Sequence, residues 1–213
     1  MCFCAGARYP KRSRKAVRSG FPRNEKRAMD LALPFDRTYW VIPGKFMAGP
    51  FPGSHDPDEA LPRLRALVQC GIRRVISLMD ADEIRLSDPP FLSYAETLTR
   101  LGEDLGIPLE ATQLPIQDQS PPSPAVMNVI LDEIDRSIAA SRPVYVHCWG
   151  GRGRTGTVVA CHLVRQGWAG DEGLKRLDEL RKTASNGHLP SPKTEAQREF
   201  VRSWRNWDRR SLL

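Results

Sequence analysis

His147-Cys148-Trp149-Gly150-Gly151-Arg152-Gly153-Arg154-Thr155-Gly156 is the stretch on which the reading of this chain turns. It follows Val144-Tyr145-Val146, a β-branched and aromatic run that reads as a buried central strand. It runs into 154–166, which reads as a helix. A strand therefore delivers Cys148 into a short loop, and three glycines let that loop take tight or left-handed turns. Successive backbone N–H groups can then point inward as an anion nest, capped by the N-terminus of the next helix. Such a nest fits the three outer oxygens of a phosphoryl group, with Trp149, Gly150, Gly151, Arg152 and Gly153 as its rim. Arg154 adds a planar fork of donors suited to two phosphate oxygens at once.

The same setting acts on the cysteine. A free thiol of pKa about 8.5 is only a few per cent thiolate at neutral pH, and helix N-termini and nearby cations lower that value. Each unit of lowering is worth about 1.4 kcal/mol. Cys148 is thus expected as a standing thiolate and a nucleophile toward phosphorus. Thr155 is placed to hydrogen-bond the sulfur and ease its departure. The pattern C-x5-R-[ST] is weak alone, because five cysteines in an Arg-rich chain supply matches by chance. The strand, the glycines and the helix around it carry the reading. An inert core cysteine fits three glycines and two arginines badly. Neither His147-Cys148 nor Cys161-His162 has ligand spacing, so no metal is expected.

Outward from the loop, strand-like and helical segments alternate, which is the pattern of an α/β domain. Strands are expected over 39–42 and 46–48 around the Pro43-Gly44 turn, over 74–78 and over 109–114. Helices are expected over 57–69, with Asp56 as cap and Gly71 as stop, and over 91–105. Ser123-Pro124 opens another, whose Met127, Ile130, Leu131, Ile134 and Ile138 recur at helical spacing. Two more are expected over 171–182 and 194–207. There is no internal repeat and no sign of a second domain.

The net charge of +7 is unevenly placed. Residues 1–28 hold nine of the 32 basic residues and one of the 25 acidic ones, leaving 23 against 24 for 29–213. A body near neutrality gives no basic groove for nucleic acid. The first 28 residues, poor in large apolar side chains, read as a disordered tail. A transit peptide, a polybasic membrane contact aided by Cys2, a docking arm and a true start at Met29 all remain open for it. The catalytic domain is expected to be 29–213. Five scattered cysteines make a poor disulfide framework, so a reducing, cytoplasmic location is expected, with the protein a monomer.

The loop resembles the HC-x5-R-[ST] signature of the protein tyrosine phosphatase superfamily, in its H-C-x-x-G-x-G-R-T-G form. Residues 38–207 resemble the compact dual-specificity phosphatase domain, in the flavour of the cyclin-dependent-kinase-associated phosphatase and its bacterial relatives. Tyr39–Gly53, Val75–Leu78 and the late T-x-x-Q-x-x-F fit that layout. The resemblance implies a compact α/β fold, a mostly parallel twisted sheet flanked by helices, and hydrolysis through a phosphocysteine without a cofactor. It also implies an Asp proton donor on a mobile loop. Pro115-Ile116-Gln117-Asp118 matches the family's P-I-x-D form 30 residues before Cys148, and Gln119-Ser120-Pro121-Pro122 reads as a loop able to close over substrate. Asp80, Asp82 and Glu83 are rivals that could line the same cleft edge. Gln197 matches a glutamine region that orders the hydrolytic water in tyrosine phosphatases. Lys193 stands at that motif's water-orienting position, and Gln197 reads as solvent-facing or helix-capping. His147 reads as a buried hydrogen-bonder that fixes the loop and thiolate.

Expected substrates are phosphotyrosine or phosphoserine/threonine proteins. The alternative is an inositol phosphate or phosphoinositide, because phosphatases of that kind in the superfamily carry a basic residue at the place of Arg152. A non-catalytic phosphate-binding scaffold would be expected to lack Cys148, Arg154 or Asp118. An arsenate reductase would need resolving cysteines nearer than Cys161, thirteen residues on.

Overall fold

Three four-residue strands whose carboxyl ends lie level set the frame of the molecule. The structure, a computed structural model, describes residues 32–54, 56–85 and 94–205. The elements are β1 (Tyr39–Ile42), β2 (Phe46–Gly49), α1 (Pro57–Gln69), β3 (Arg74–Ser77), α2 (Ala81–Arg85), α3 (Tyr94–Leu105), β4 (Glu110–Gln113), α4 (Pro124–Ala139), β5 (Val144–His147), α5 (Arg154–Arg165), α6 (Gly170–Arg181) and α7 (Glu195–Ser203). The sheet order is β1-β2-β5-β3-β4, antiparallel only between β1 and β2. Register places Gly49, His147 and Ser77 side by side. Open α/β sheets bind ligands outside such aligned carboxyl ends.

The central strand is buried at every position of Val144–His147, which suits its unbroken β-branched and aromatic sequence. Helix α4 starts where the Ser-Pro pair predicts: the Ser123 side chain accepts from Val126 N–H, and Met127, Ile130, Leu131 and Ile134 are fully buried. Asp56 caps α1 in the same way. The described residues belong to one compact unit, and the segment 1–28 lies outside them.

Some boundaries differ from expectation. The strand expected over 109–114 pairs only over Glu110–Gln113, at the mostly exposed edge of the sheet. The last helix ends at Ser203, where Trp204 turns into the core at 2 % exposure. Helix α2 was not expected, because five residues rich in acid carry no apolar period. The Asp80 side chain accepts from Asp82 N–H at 3.0 Å as it begins. Among the described residues no helix is long and apolar enough to cross a membrane, and no three His, Cys, Asp or Glu side chains gather as a metal group.

Candidate active site

Cys148 follows β5 directly and is buried at 3 % exposure. Of the three loop glycines, only Gly151 takes a left-handed conformation, with φ of +70°. A Cβ there would lie 2.5 Å from the Gly49 carbonyl carbon, so the loop is pressed against the end of β2. Gly150 has open space, and Gly153 is the N-cap of α5 with φ −77°. That cap carries no side chain to satisfy the first turn of the helix. Among the described residues no backbone N–H from Gly150 to Arg154 donates within the protein. The donors of an anion nest are therefore unspent. Phe51 N–H bonds to Trp149 O at 3.0 Å, and the Phe51 ring stacks on that of Trp149, which is 46 % exposed at the rim.

Arg154 does not hold its whole fork open. Its two Nη groups reach Glu83 at 2.5 and 2.9 Å, and Nη2 also meets Asp118 Oδ1 at 3.2 Å. Nε is buried without a partner, which leaves it as a donor for an incoming oxygen. Burial opposes the arginine's charge. The Glu83 hydrogen bonds, then the charges of Cys148, Glu83 and Asp118, more than offset it and raise its pKa above the ordinary value. Glu83, which in the sequence competes with Asp118 for the acid's role, is thus the residue that grips Arg154. Its only sequence signal was its place just after a strand.

His147 is wholly buried. Its Nδ1 faces Cys148 O at 3.3 Å, and its Nε2 faces Tyr94 Oη at 2.6 Å. A carbonyl only accepts, so Nδ1 carries the proton and Nε2 accepts from tyrosine. Burial, offset in part by the Cys148 hydrogen bond and reinforced by the Arg154 charge, lowers the imidazole pKa to about 3. Thr155 lies in the first turn of α5 with its side chain buried, and its Oγ1 has no hydrogen-bond partner.

Asp118 is 59 % exposed on the loop after β4. That loop is tied to the start of α7: Thr194 Oγ1 donates to Gln119 O at 3.1 Å, and Gln197 Nε2 donates to Ser120 O at 3.3 Å. Gln197 also accepts from Thr194 N–H in a capping box. It caps the helix as expected but does not face solvent, being wholly buried beside Gly153. A cavity of about 280 Å³ brings together Cys148, Trp149, Gly150, Arg152, Gly153 and Arg154 with Asp118, Glu83, Lys193 and Gln197. It also takes in Arg37 and Asn186, which sequence reading did not single out.

The same architecture recurs in solved phosphatases. A kinase-associated phosphatase aligns with TM-score 0.60 at 20 % identity over 80 % of this chain and 93 % of its own. PTPMT1 in complex with PI(5)P aligns with TM-score 0.57 at 20 % identity over 78 % and 93 %. The core catalytic domain of the PP-IP phosphatase SIW14 of Saccharomyces cerevisiae aligns at 0.56 and 15 % identity over 85 % and 93 %. These likenesses establish a compact dual-specificity phosphatase fold. The model of the Swiss Army Knife protein DSP-PTPase phosphatase domain, PTP-SAK, matches residues 36–206, and the chain belongs to that family. An uncharacterised protein of Methanocaldococcus jannaschii is 36 % identical over 89 residues, 41 % of this chain and 50 % of that one. The Arabidopsis thaliana phosphatidylinositol 3,4,5-trisphosphate 3-phosphatase and protein-tyrosine-phosphatase PTEN1 is 30 % identical over 95 residues, 43 % of this chain and 22 % of that one. The matched segment thus spans half or less of either relative.

Proposed function

We propose that residues 29–213 form a cysteine-dependent phosphatase that hydrolyses phosphate monoesters through a phosphocysteine on Cys148. The observation that carries this reading is the convergence of a cysteine, unspent backbone donors and a gripped arginine on one cavity that Asp118 also lines. In the first step the Cys148 thiolate attacks phosphorus, the S–P bond forms and the ester P–O bond breaks. The leaving oxygen takes a proton from Asp118. Water then attacks the phosphocysteine, Asp118 takes its proton, and inorganic phosphate leaves as the thiolate is restored. Arg154 and the loop N–H groups carry the charge that builds on the phosphoryl oxygens. Thr155, a buried hydroxyl with no partner, is a donor available to the departing sulfur. Gln197 is assigned to hold the Asp118 loop through Ser120.

Phosphotyrosine or phosphoserine/threonine proteins need no more than this machinery. One observation favours inositol phosphates or phosphoinositides as a second reading: Arg152 lines the cavity with Arg37 and Lys193. Lipid and protein substrates both appear in the name of the Arabidopsis relative, which supports keeping the two classes. The test is hydrolysis of para-nitrophenyl phosphate in EDTA by the reduced protein. Wild type should turn over, and Cys148→Ser should fall by at least about three orders of magnitude. Equal rates for the two would remove Cys148 from the mechanism.

A further inference from the structure

Two backbone carbonyls of the cysteine loop are held by residues far from it in the chain, and each sets the aim of a neighbouring N–H. In a trans peptide the C=O and the N–H that follows it point to opposite sides. Phe51 N–H holds Trp149 O at 3.0 Å, so the N–H of Gly150 is turned the other way. The second carbonyl is Arg152 O, which accepts from the Ser191 hydroxyl at 2.8 Å. Among the described residues no backbone N–H donates to Arg152 O, so Ser191 is what fixes it. The Arg152–Gly153 peptide is trans, and its Gly153 N–H is therefore aimed away from Ser191, toward the cavity that Gly153 lines.

Ser191 sits in the connection between α6 and α7, 39 residues after Arg152, at 3 % exposure and off the cavity wall. Its hydroxyl reaches the loop only because Gly156, in the first turn of α5, has no side chain. A Cβ on Gly156 would overlap Ser191 Oγ and would stand 3.5 Å from Pro192 Cα. Glycine is a poor helix former, so its presence inside α5 weakens the helix at the place where the hydroxyl passes. The same connection ties down the loop of Asp118, through Thr194 to Gln119 O and Gln197 to Ser120 O. The phosphate loop and the acid's loop thus share one support.

We propose that Ser191 is a positioning residue: its hydroxyl, passing through the gap at Gly156, turns the Arg152–Gly153 peptide so that Gly153 N–H meets an outer oxygen of the phosphoryl group. This rests on the phosphatase reading above and adds to it the group that aims one of the loop's donors. A donor aimed beforehand needs no reorganisation when charge builds on that oxygen. Without the hydroxyl, Arg152 O loses its partner in a partly buried setting, and the peptide can rotate its N–H out of the nest.

The experiment uses the full chain, reduced and isotope-labelled at its glycines, and titrates inorganic phosphate into wild type and Ser191→Ala while the amide resonances are followed. In wild type the Gly150 and Gly153 amides should both shift on binding. In Ser191→Ala the Gly153 shift should be lost while that of Gly150, held through Phe51, remains. The phosphate dissociation constant should rise about tenfold, and kcat/KM for para-nitrophenyl phosphate should fall about as much. Gly156→Ala, which displaces the hydroxyl, should weaken phosphate binding as far as Ser191→Ala does, and the double variant no further. A Gly153 shift unchanged in Ser191→Ala, or losses that add in the double variant, would overturn the proposal. So would loss of both glycine shifts, which marks a general support of the loop rather than the aim of one donor. A wild type that binds phosphate with these shifts but hydrolyses nothing sinks the phosphatase reading and leaves the role of Ser191 at the bound phosphate standing.

Discussion

Arg154 carries its charge at 2 % exposure, and a buried cation is tolerated only with partners that replace its water. Glu83 supplies them through both Nη groups, 71 residues away in sequence, and Asp118 shares Nη2. Removing one member of such a pair leaves the other charge stranded. Glu83→Gln keeps the shape and weakens the grip, so it should cost about 1–2 kcal/mol of stability, discounted because Glu83 is itself 29 % exposed. It should also weaken competitive inhibition by inorganic phosphate severalfold, since Arg154 would no longer be held for its oxygens. Chemical denaturation and inhibition kinetics check the two halves, and unchanged phosphate inhibition would remove Glu83 from any positioning role. Arg154 was legible in the sequence because a C-x5-R loop states its own geometry. Glu83 was visible only as one acid among three after β3, because a carboxylate carries no mark of the cation it will meet.

At the scale of the element, the loop from Cys148 to Gly153 depends on one backbone position more than on its glycine content. Gly151 alone is left-handed, and a Cβ on it would stand 2.5 Å from Gly49 C and 2.6 Å from Pro50 N, both main-chain atoms that cannot swing aside. Gly151→Ala should therefore cost about 2–4 kcal/mol, the sum of left-handed strain and a backbone shift. Gly150→Ala meets nothing within 4 Å and should stay within about 0.5 kcal/mol. Thermal unfolding of the two variants checks the contrast, and equal losses would mean that glycine count, not this contact, shapes the loop. The strand, loop and helix were readable because their signals lie within a dozen residues. Helix α4 was readable for the same reason, with Ser123 and Pro124 at its start and its apolar stripe. Helix α2 was not, since five residues are too few to establish a period. Which glycine must be left-handed was not legible either, because it depends on the close approach of β2.

Across the whole molecule, the level ends of β2, β5 and β3 bury His147 between Tyr94 and the aromatic rings of Phe51 and Tyr145. In the unfolded chain this imidazole gains a proton near pH 6.5, and in the fold only near pH 3. Between those values the unfolded state binds the extra proton, so acid favours unfolding. The contribution is complete above about pH 6.5 and is lost as pH falls toward 3, at up to about 1.4 kcal/mol per pH unit. His162, whose pKa burial also lowers, acts in the same direction, so the comparison with His147→Gln matters more than the wild-type slope. The variant should show a flatter fall of Tm between about pH 6 and pH 4 than the wild type. Parallel curves would mean that His147 is protonated in the fold. The sequence by itself determined the α/β alternation and the phosphate-shaped loop with Cys148 and Arg154, because propensity, capping and glycine signals act over neighbouring residues, while Asp118 became a candidate acid only through the resemblance of Pro115-Ile116-Gln117-Asp118 to the family's form. Only the tertiary structure decided that Glu83 grips Arg154, that Gln197 ties down the loop of Asp118, and that the Ser191 hydroxyl holds Arg152 O. Those pairings join residues 39 to 77 positions apart, and such distances are closed by burying the core, not by any local preference of the chain.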